Sequence, residues 1–127
     1  LTPGITTKDS PRSFADTVAR LVDLVAARGM KVFAVIDQAA EAAAMGLQLR
    51  PTTLVVFGNP AAGTPVMAAA PLAALDLPLK VLVWADGETT KVSYLSPPAL
   101  AERYQIGSDL AKNLAGIDLL TDALVAP

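Results

Sequence analysis

The chain of 127 residues contains no cysteine and no histidine. Without cysteine there are no disulfides, no thiol nucleophile, and no thiolate ligands for zinc or iron–sulfur clusters. Without histidine the commonest general base is gone, along with the usual haem and zinc ligand. A Ser-His-Asp hydrolase is excluded as well, since Ser93 and Ser96 have nothing to activate them. Catalysis would have to rest on carboxylates, Lys, Tyr, Ser/Thr or a bound cofactor; no metal or cofactor is expected. Charge is also sparse: charged residues make up 17%, and 10 basic against 12 acidic side chains leave a formal net charge of -2. There is no basic stripe for nucleic acid and no polybasic segment for anionic lipid. The longest apolar run, Val66 to Leu75, is about half a bilayer span and contains Pro71, so membrane insertion is not expected. The opening Leu1-Thr2-Pro3-Gly4 has no charged leader followed by an apolar core. No signal peptide is therefore expected there, although the start at Leu leaves room for a segment removed earlier. A cytoplasmic location is the default expectation.

What the chain does have is apolar residues, 53% of the total, enough for a real core in one domain spanning 1–127. Ile5 to Lys8 is β-prone. Ser13, with Asp16 three residues on, approximates a capping box, and Phe14, Val18, Leu21, Val22 and Val25 share one helical face. A helix over 13–28 ends at Gly29. Lys31 to Ile36 reads as a buried strand, and Gln38 to Met45 as a short helix capped by Asp37. Thr52 to Phe57 is the strongest strand signal, and Gly58-Asn59-Pro60 is a sharp exit from it. Thr64-Pro65 suits the opening of a short helix over Val66 to Ala70. Leu79 to Ala85 and Thr90 to Leu95 flank Asp86-Gly87, a hairpin signal. A helix over Ala99 to Tyr104 follows, then a last one from Ser108 to Leu124. That one carries an apolar stripe, Leu110, Leu114, Ile117, Leu120 and Leu124, with Gly116 as a weak spot. The hairpin demands antiparallel pairing and the helices must cover a sheet face, so the expected class is two-layer α+β.

Three places invite chemistry. Gly58 to Thr64 leaves a strand and enters a helix with the glycine spacing of a phosphate loop. Thr64 stands where that motif needs Lys, and Pro60 and Pro65 remove two backbone donors, so a P-loop is excluded. A weaker anion or small-ligand site at a helix N-terminus survives beside the plain alternative of a rigid corner. Asp37 and Glu41 are four apart and share a face of a continuous helix, although capping alone explains Asp37. Lys80 opens an apolar strand, where desolvation favours a base or nucleophile; snorkelling, or pairing with Asp76 or Asp86, serves equally. In a simple hairpin register Trp84 and Tyr94 become cross-strand neighbours. Met30, Met45 and Met67 are dispersed as gap-filling residues are.

The run of Ser10-Pro11, Ser13-Phe14, Gly29, Ile36-Asp37, Gly46, Leu49-Arg50-Pro51-Thr52, Phe57-Gly58-Asn59-Pro60, Gly63-Thr64-Pro65, Ala70-Pro71, Asp76-Leu77-Pro78-Leu79-Lys80 and Val83-Trp84 resembles the bacterial and archaeal family called domain of unknown function 302 (DUF302). The resemblance covers residues 5–104. It implies a TATA-binding-protein-like α+β fold, a curved antiparallel sheet with helices on one face (β-α-β(4)-α with short inserted helices), and association as homodimers. It brings no activity with it. Many members carry His after the Ile-Asp pair, where this chain has Gln38. Residues 105–127 fall beyond the resemblance, as a helical extension.

Three functions follow as expectations. The first is a non-catalytic ligand-binding or interaction module, with its site on a rim shared by Asp37, Gln38, Gly58, Asn59, Pro60 and Thr64, and Lys80 as a further candidate. The second is a small enzyme using Asp37 or Lys80 as acid or base. The third is a structural subunit docking on a larger partner through its C-terminal helix.

Overall fold

The computed structural model describes residues 2–127; Leu1, the first residue of the opening tetrapeptide, lies outside the described residues. β-branched and apolar alternation produces five strands: β1 (Ile5–Ser10), β2 (Lys31–Asp37), β3 (Thr52–Gly58), β4 (Leu79–Asp86) and β5 (Thr89–Leu95). They form one antiparallel sheet in the order β1-β5-β4-β3-β2. The hairpin forms as its Asp-Gly signal requires. Asp86 pairs with Thr89 across a two-residue loop, and Gly87 takes the left-handed φ of +61° that such loops need.

Helix α1 (Phe14–Ala27) links β1 at one edge to β2 at the other, so it must cross the sheet. Ser13 Oγ accepts from Asp16 N at 3.1 Å and fixes its start. Leu21 and Val25 are fully buried against Val55, Val81, Val83 and Val92, the inward-facing residues of three central strands. Beside α1 lies α6 (Gly116–Val125), whose Ile117, Leu120 and Leu124 enter the same core. Two arginines tie its far end down: Arg20 donates to the Ala123 carbonyl at 3.0 Å and Arg12 to that of Leu124 at 2.8 Å. Docking of the C-terminal stripe on a partner is therefore corrected, because the chain's own core already buries the stripe.

A second cluster closes the end of the sheet where β4 begins and β5 ends. It joins Val66 of α3 (Pro60–Ala69), Ala73 of the 3-10 turn Pro71–Leu75, Leu77, Leu100 of α4 (Pro97–Tyr104), and Leu114. Leu114 follows the short α5 (Ser108–Ala111), in a 3-10 segment over Lys112–Leu114. The expected last helix is thus interrupted just ahead of Gly116, where helix propensity is lowest. At the opposite end, α2 (Gln38–Ala44) buries none of its residues.

Three further expectations change. α3 opens at Asn59-Pro60 instead of Thr64-Pro65: Asn59 Oδ1 accepts from Ala61 N at 3.0 Å, and the helix continues through Pro65. Trp84 sits opposite Lys91, not Tyr94, and donates from Nε1 to Ser93 Oγ at 3.0 Å on the face away from the helices. Tyr94 points into the core and is 3% exposed, so the two aromatics lie on opposite faces. Met45 is 78% exposed and fills no gap.

Candidate functional site

The antiparallel pairing of β2 with β3 decides where the candidate residues go. Asp37 pairs with Thr53 at one end, and Lys31 with Gly58 at the other. The two ends of β2 are about 20 Å apart at the rise of an extended strand. The shared rim joining Asp37 and Gln38 to Gly58, Asn59, Pro60 and Thr64 therefore does not exist. That rim assumed both strands left the sheet on the same side, which antiparallel neighbours cannot do.

Asp37 and Gln38 stand alone at the α2 end. Asp37 Oδ1 accepts from Ala40 N at 2.9 Å, so the carboxylate serves as a helix cap. It precedes α2 and does not form a helix-face pair with Glu41. Lys80 is half-buried on the sheet face away from the helices, and its Nζ donates to the Pro78 carbonyl at 3.0 Å. It borders a separate concavity of about 440 Å³ shared with Leu54, Leu82 and Trp84. Neither the acid nor the base of the enzyme reading meets the other.

Gly58, Asn59, Pro60 and Thr64 do come together. They line a groove of about 540 Å³ at the end of β3, beneath α3. The anion site expected of this loop is corrected by its hydrogen bonds. Ala61 N is taken by the Asn59 side chain, Ala62 N and Gly63 N by the Asn59 carbonyl at 2.9 Å each, and Pro60 has no donor. The groove is instead apolar. Phe57 and Leu77 form buried parts of its wall, Met30 and Phe33 come from the start of β2, and Met67 comes from the second half of α3. Leu114 and Ile117 close it from the C-terminal helices. Two amides face it with one end each engaged: Asn59 through Oδ1 to Ala61 N, and Asn113 through Nδ2, which donates to the Ala62 carbonyl at 3.0 Å. The opposite ends of these amides, Asn59 Nδ2 and Asn113 Oδ1, have no hydrogen-bond partner among the described residues. Arg28, one residue past α1, completes the lining.

The groove residues missed in the sequence are Arg28, Phe33, Asn113 and the residues around Gly116. They come from three separate stretches of chain, and only the sheet order brings them to Asn59. Met30 and Met67 supply a flexible, adaptable part of the groove wall, a use that their dispersed positions in the sequence do not signal.

The ionic groups cluster elsewhere. Asp76 Oδ2 accepts from the Tyr104 hydroxyl at 2.5 Å and from Arg103 at 2.8 Å. The Tyr104 hydrogen bond, with Arg103 behind it, holds the Asp76 carboxyl below the usual carboxylate range despite partial burial. The same bond pushes the Tyr104 phenol up. Under β1, Lys8 Nζ donates to Asp122 at 2.8 Å and to Thr121 Oγ1 at 2.7 Å. Burial opposes its charge, but Asp122 and Tyr94 outweigh that and raise its pKa. Among the described residues no group of three Asp or Glu could hold a metal ion, and no helix is long and apolar enough to cross a membrane.

Comparison with known proteins adds the following. The family described as "Domain of unknown function DUF302" matches residues 6–124. The match runs past Tyr104 and takes in α6, so the C-terminal helices lie within the family pattern, not beyond it. The chain is 40% identical over 111 residues to the fluoride-specific ion channel FluC 1 of Brucella suis biovar 1 (strain 1330), covering 85% of this chain and 44% of that protein. It is equally similar to fluoride-specific ion channel FluC 2 of Brucella melitensis biotype 1, covering 41% of that protein. The chain thus spans less than half the length of these relatives. A crystal structure of an uncharacterized conserved DUF302 protein from Bacillus stearothermophilus superposes with a TM-score of 0.81 at 22% identity, over 98% of this chain and 97% of that one. It shares the curved antiparallel sheet with helices on one face.

Proposed function

This chain belongs to the DUF302 family, and on that footing we propose that it is a non-catalytic module binding a small, largely apolar molecule in the groove at the end of β3. The observation that carries the reading is the convergence of Gly58, Asn59, Pro60 and Thr64 with apolar side chains from β2, α3 and α6 around one concavity. Its volume of about 540 Å³ falls within the range of small-molecule sites, which are mostly apolar with a few polar groups to fix orientation. The free ends of Asn59 and Asn113 suit that orienting task. The acid–base alternative on Asp37 or Lys80 has less behind it: neither residue lines this groove, and Asp37 is engaged as a cap. Ion transport, in the name of the Brucella relatives, belongs to those longer proteins. The groove reading concerns the stretch they share with this chain.

A screen of fragment-sized apolar compounds by two-dimensional amide NMR tests the proposal. Binders should move the amides of Gly58, Gly63 and Gly116 together, and a Gly116→Leu variant should lose them. Binders that leave those three amides still, or that tolerate Gly116→Leu, would overturn it.

A second reading is self-association into homodimers across β2. It is favoured by an edge strand with Val35 48% and Ile36 36% exposed, followed by exposed Met45, Leu47 and Leu49. Exposed apolar edges are where strands of separate chains pair.

A further inference from the structure

We infer that the groove takes an amphipathic carboxylate, with its apolar body against Phe57, Met67 and Ile117 and its anionic head at Arg28. This deepens the ligand-binding reading of the same groove and rests on it.

The first ground is charge. Arg28 is the one ionisable residue in the lining, and no Asp or Glu contributes to it, in a chain where acidic residues outnumber basic ones. Arg28 is exposed, and none of the ion pairs among the described residues uses it. Lys31 adds a second positive group at the border, its Nζ 5.1 Å from the centroid of the Phe33 ring that lines the groove. An anion is attracted by this rim and a cation repelled. A guanidinium stays charged at any physiological pH and matches the two oxygens of a carboxylate with two parallel donors. A guanidinium also pairs with phosphate, but a phosphate head would lack further support here. The first backbone amides of α3, which would serve it, are already bonded to Asn59.

The second ground is the wall. Gly63 and Gly116 both lie in helices, neither has a positive φ, and glycine weakens a helix relative to alanine. A Cβ at Gly116 would meet nothing within 4 Å, and one at Gly63 only the flexible end of Met67 at 3.8 Å. Neither backbone conformation nor internal packing calls for glycine at these positions. What both leave is width in the groove.

The test uses the full chain and three ten-carbon probes below their micellar concentrations: decanoate, decanol and decyltrimethylammonium. Amide NMR titration should show decanoate moving Gly58, Gly63 and Gly116 with a Kd at least ten-fold below that of decanol, and the ammonium weakest. Arg28→Gln should remove most of the gap between decanoate and decanol, Lys31 accounting for the remainder, and leave decanol unchanged. Gly116→Leu should abolish binding of both while melting no lower than the parent, which separates a filled groove from a failed fold. Equal binding of decanoate and decanol, or an Arg28→Gln variant that binds decanoate as before, overturns the carboxylate assignment and leaves the groove standing. Probes that move none of the three amides, or that bind Gly116→Leu as well as the parent, overturn both.

Discussion

Asp76 shows how one side chain holds two segments at neutral pH. It sits after the 3-10 turn and accepts from both Tyr104 and Arg103 on α4. Because its folded-state pKa is depressed, its stabilising effect is complete above the usual carboxylate range and is lost as pH falls below that range through the folded-state pKa. Asp76→Asn should therefore destabilise the protein by about 1 kcal/mol at pH 7, a figure discounted for the partial exposure of the pair. The difference from the parent should begin to shrink below about pH 4, where the unfolded carboxyl protonates, and vanish only once pH has fallen through the depressed folded-state pKa. Urea denaturation at pH 7 and pH 2 measures both. An equal deficit at the two pH values would mean that packing, not charge, ties the turn to α4.

Helix α6 shows what a local pattern can and cannot tell. The stripe of Ile117, Leu120 and Leu124 is plain in the sequence because a 3.6-residue period is a property of neighbours. Which surface receives the stripe is not local, and the structure answers it with Leu21, Val25 and the valines of the central strands. The start of α3 was obscured for a related reason. Asn59-Pro60 and Thr64-Pro65 are equally good openings, and a proline five residues into a helix ordinarily argues against continuity. Asp37 as a cap, Ser13 with Asp16, and the Asp86-Gly87 hairpin were all legible, since each is settled within four residues. The candidate site was half legible. The polar residues at the end of β3 stood out, but their supposed neighbours at Asp37 belong to the far end of the strand. Leu120 is fully buried, so Leu120→Ala should cost about 2–5 kcal/mol, read from chemical denaturation followed by circular dichroism. Removal of residues 106–127 should leave the rest unfolded, and a shortened chain with a cooperative melt would contradict the packing of α6 in the core.

Across the sheet as a unit, the two edges differ in kind. The β1 edge is tied to its neighbour by Lys91 and Asp9 at 2.6 Å, and Lys8 anchors it to α6. Along β2 the cover is uneven: Val32 packs against the core, whereas Val35, opposite the fully buried Val55, is 48% exposed. If β2 is the self-association surface, Val35→Lys with Ile36→Lys should turn a dimer into a monomer in sedimentation velocity, with the secondary structure unchanged. A parent chain that sediments as a monomer at every concentration would rule that surface out.

The placement of β1 beside β5 has a consequence for biosynthesis. Ile5 of β1 pairs with Leu95 of β5, so the strand leaves the ribosome well before its partner does. At a ribosomal rate of about 5–20 residues per second, roughly 5–18 seconds separate the two. Throughout that interval the opening strand has no partner, and the apolar face of α1 waits for β4, β5 and α6. Until β5 emerges, only β2, β3 and β4 can pair with one another, so β1 and the apolar face of α1 are the parts of this fold that stay uncovered longest during synthesis.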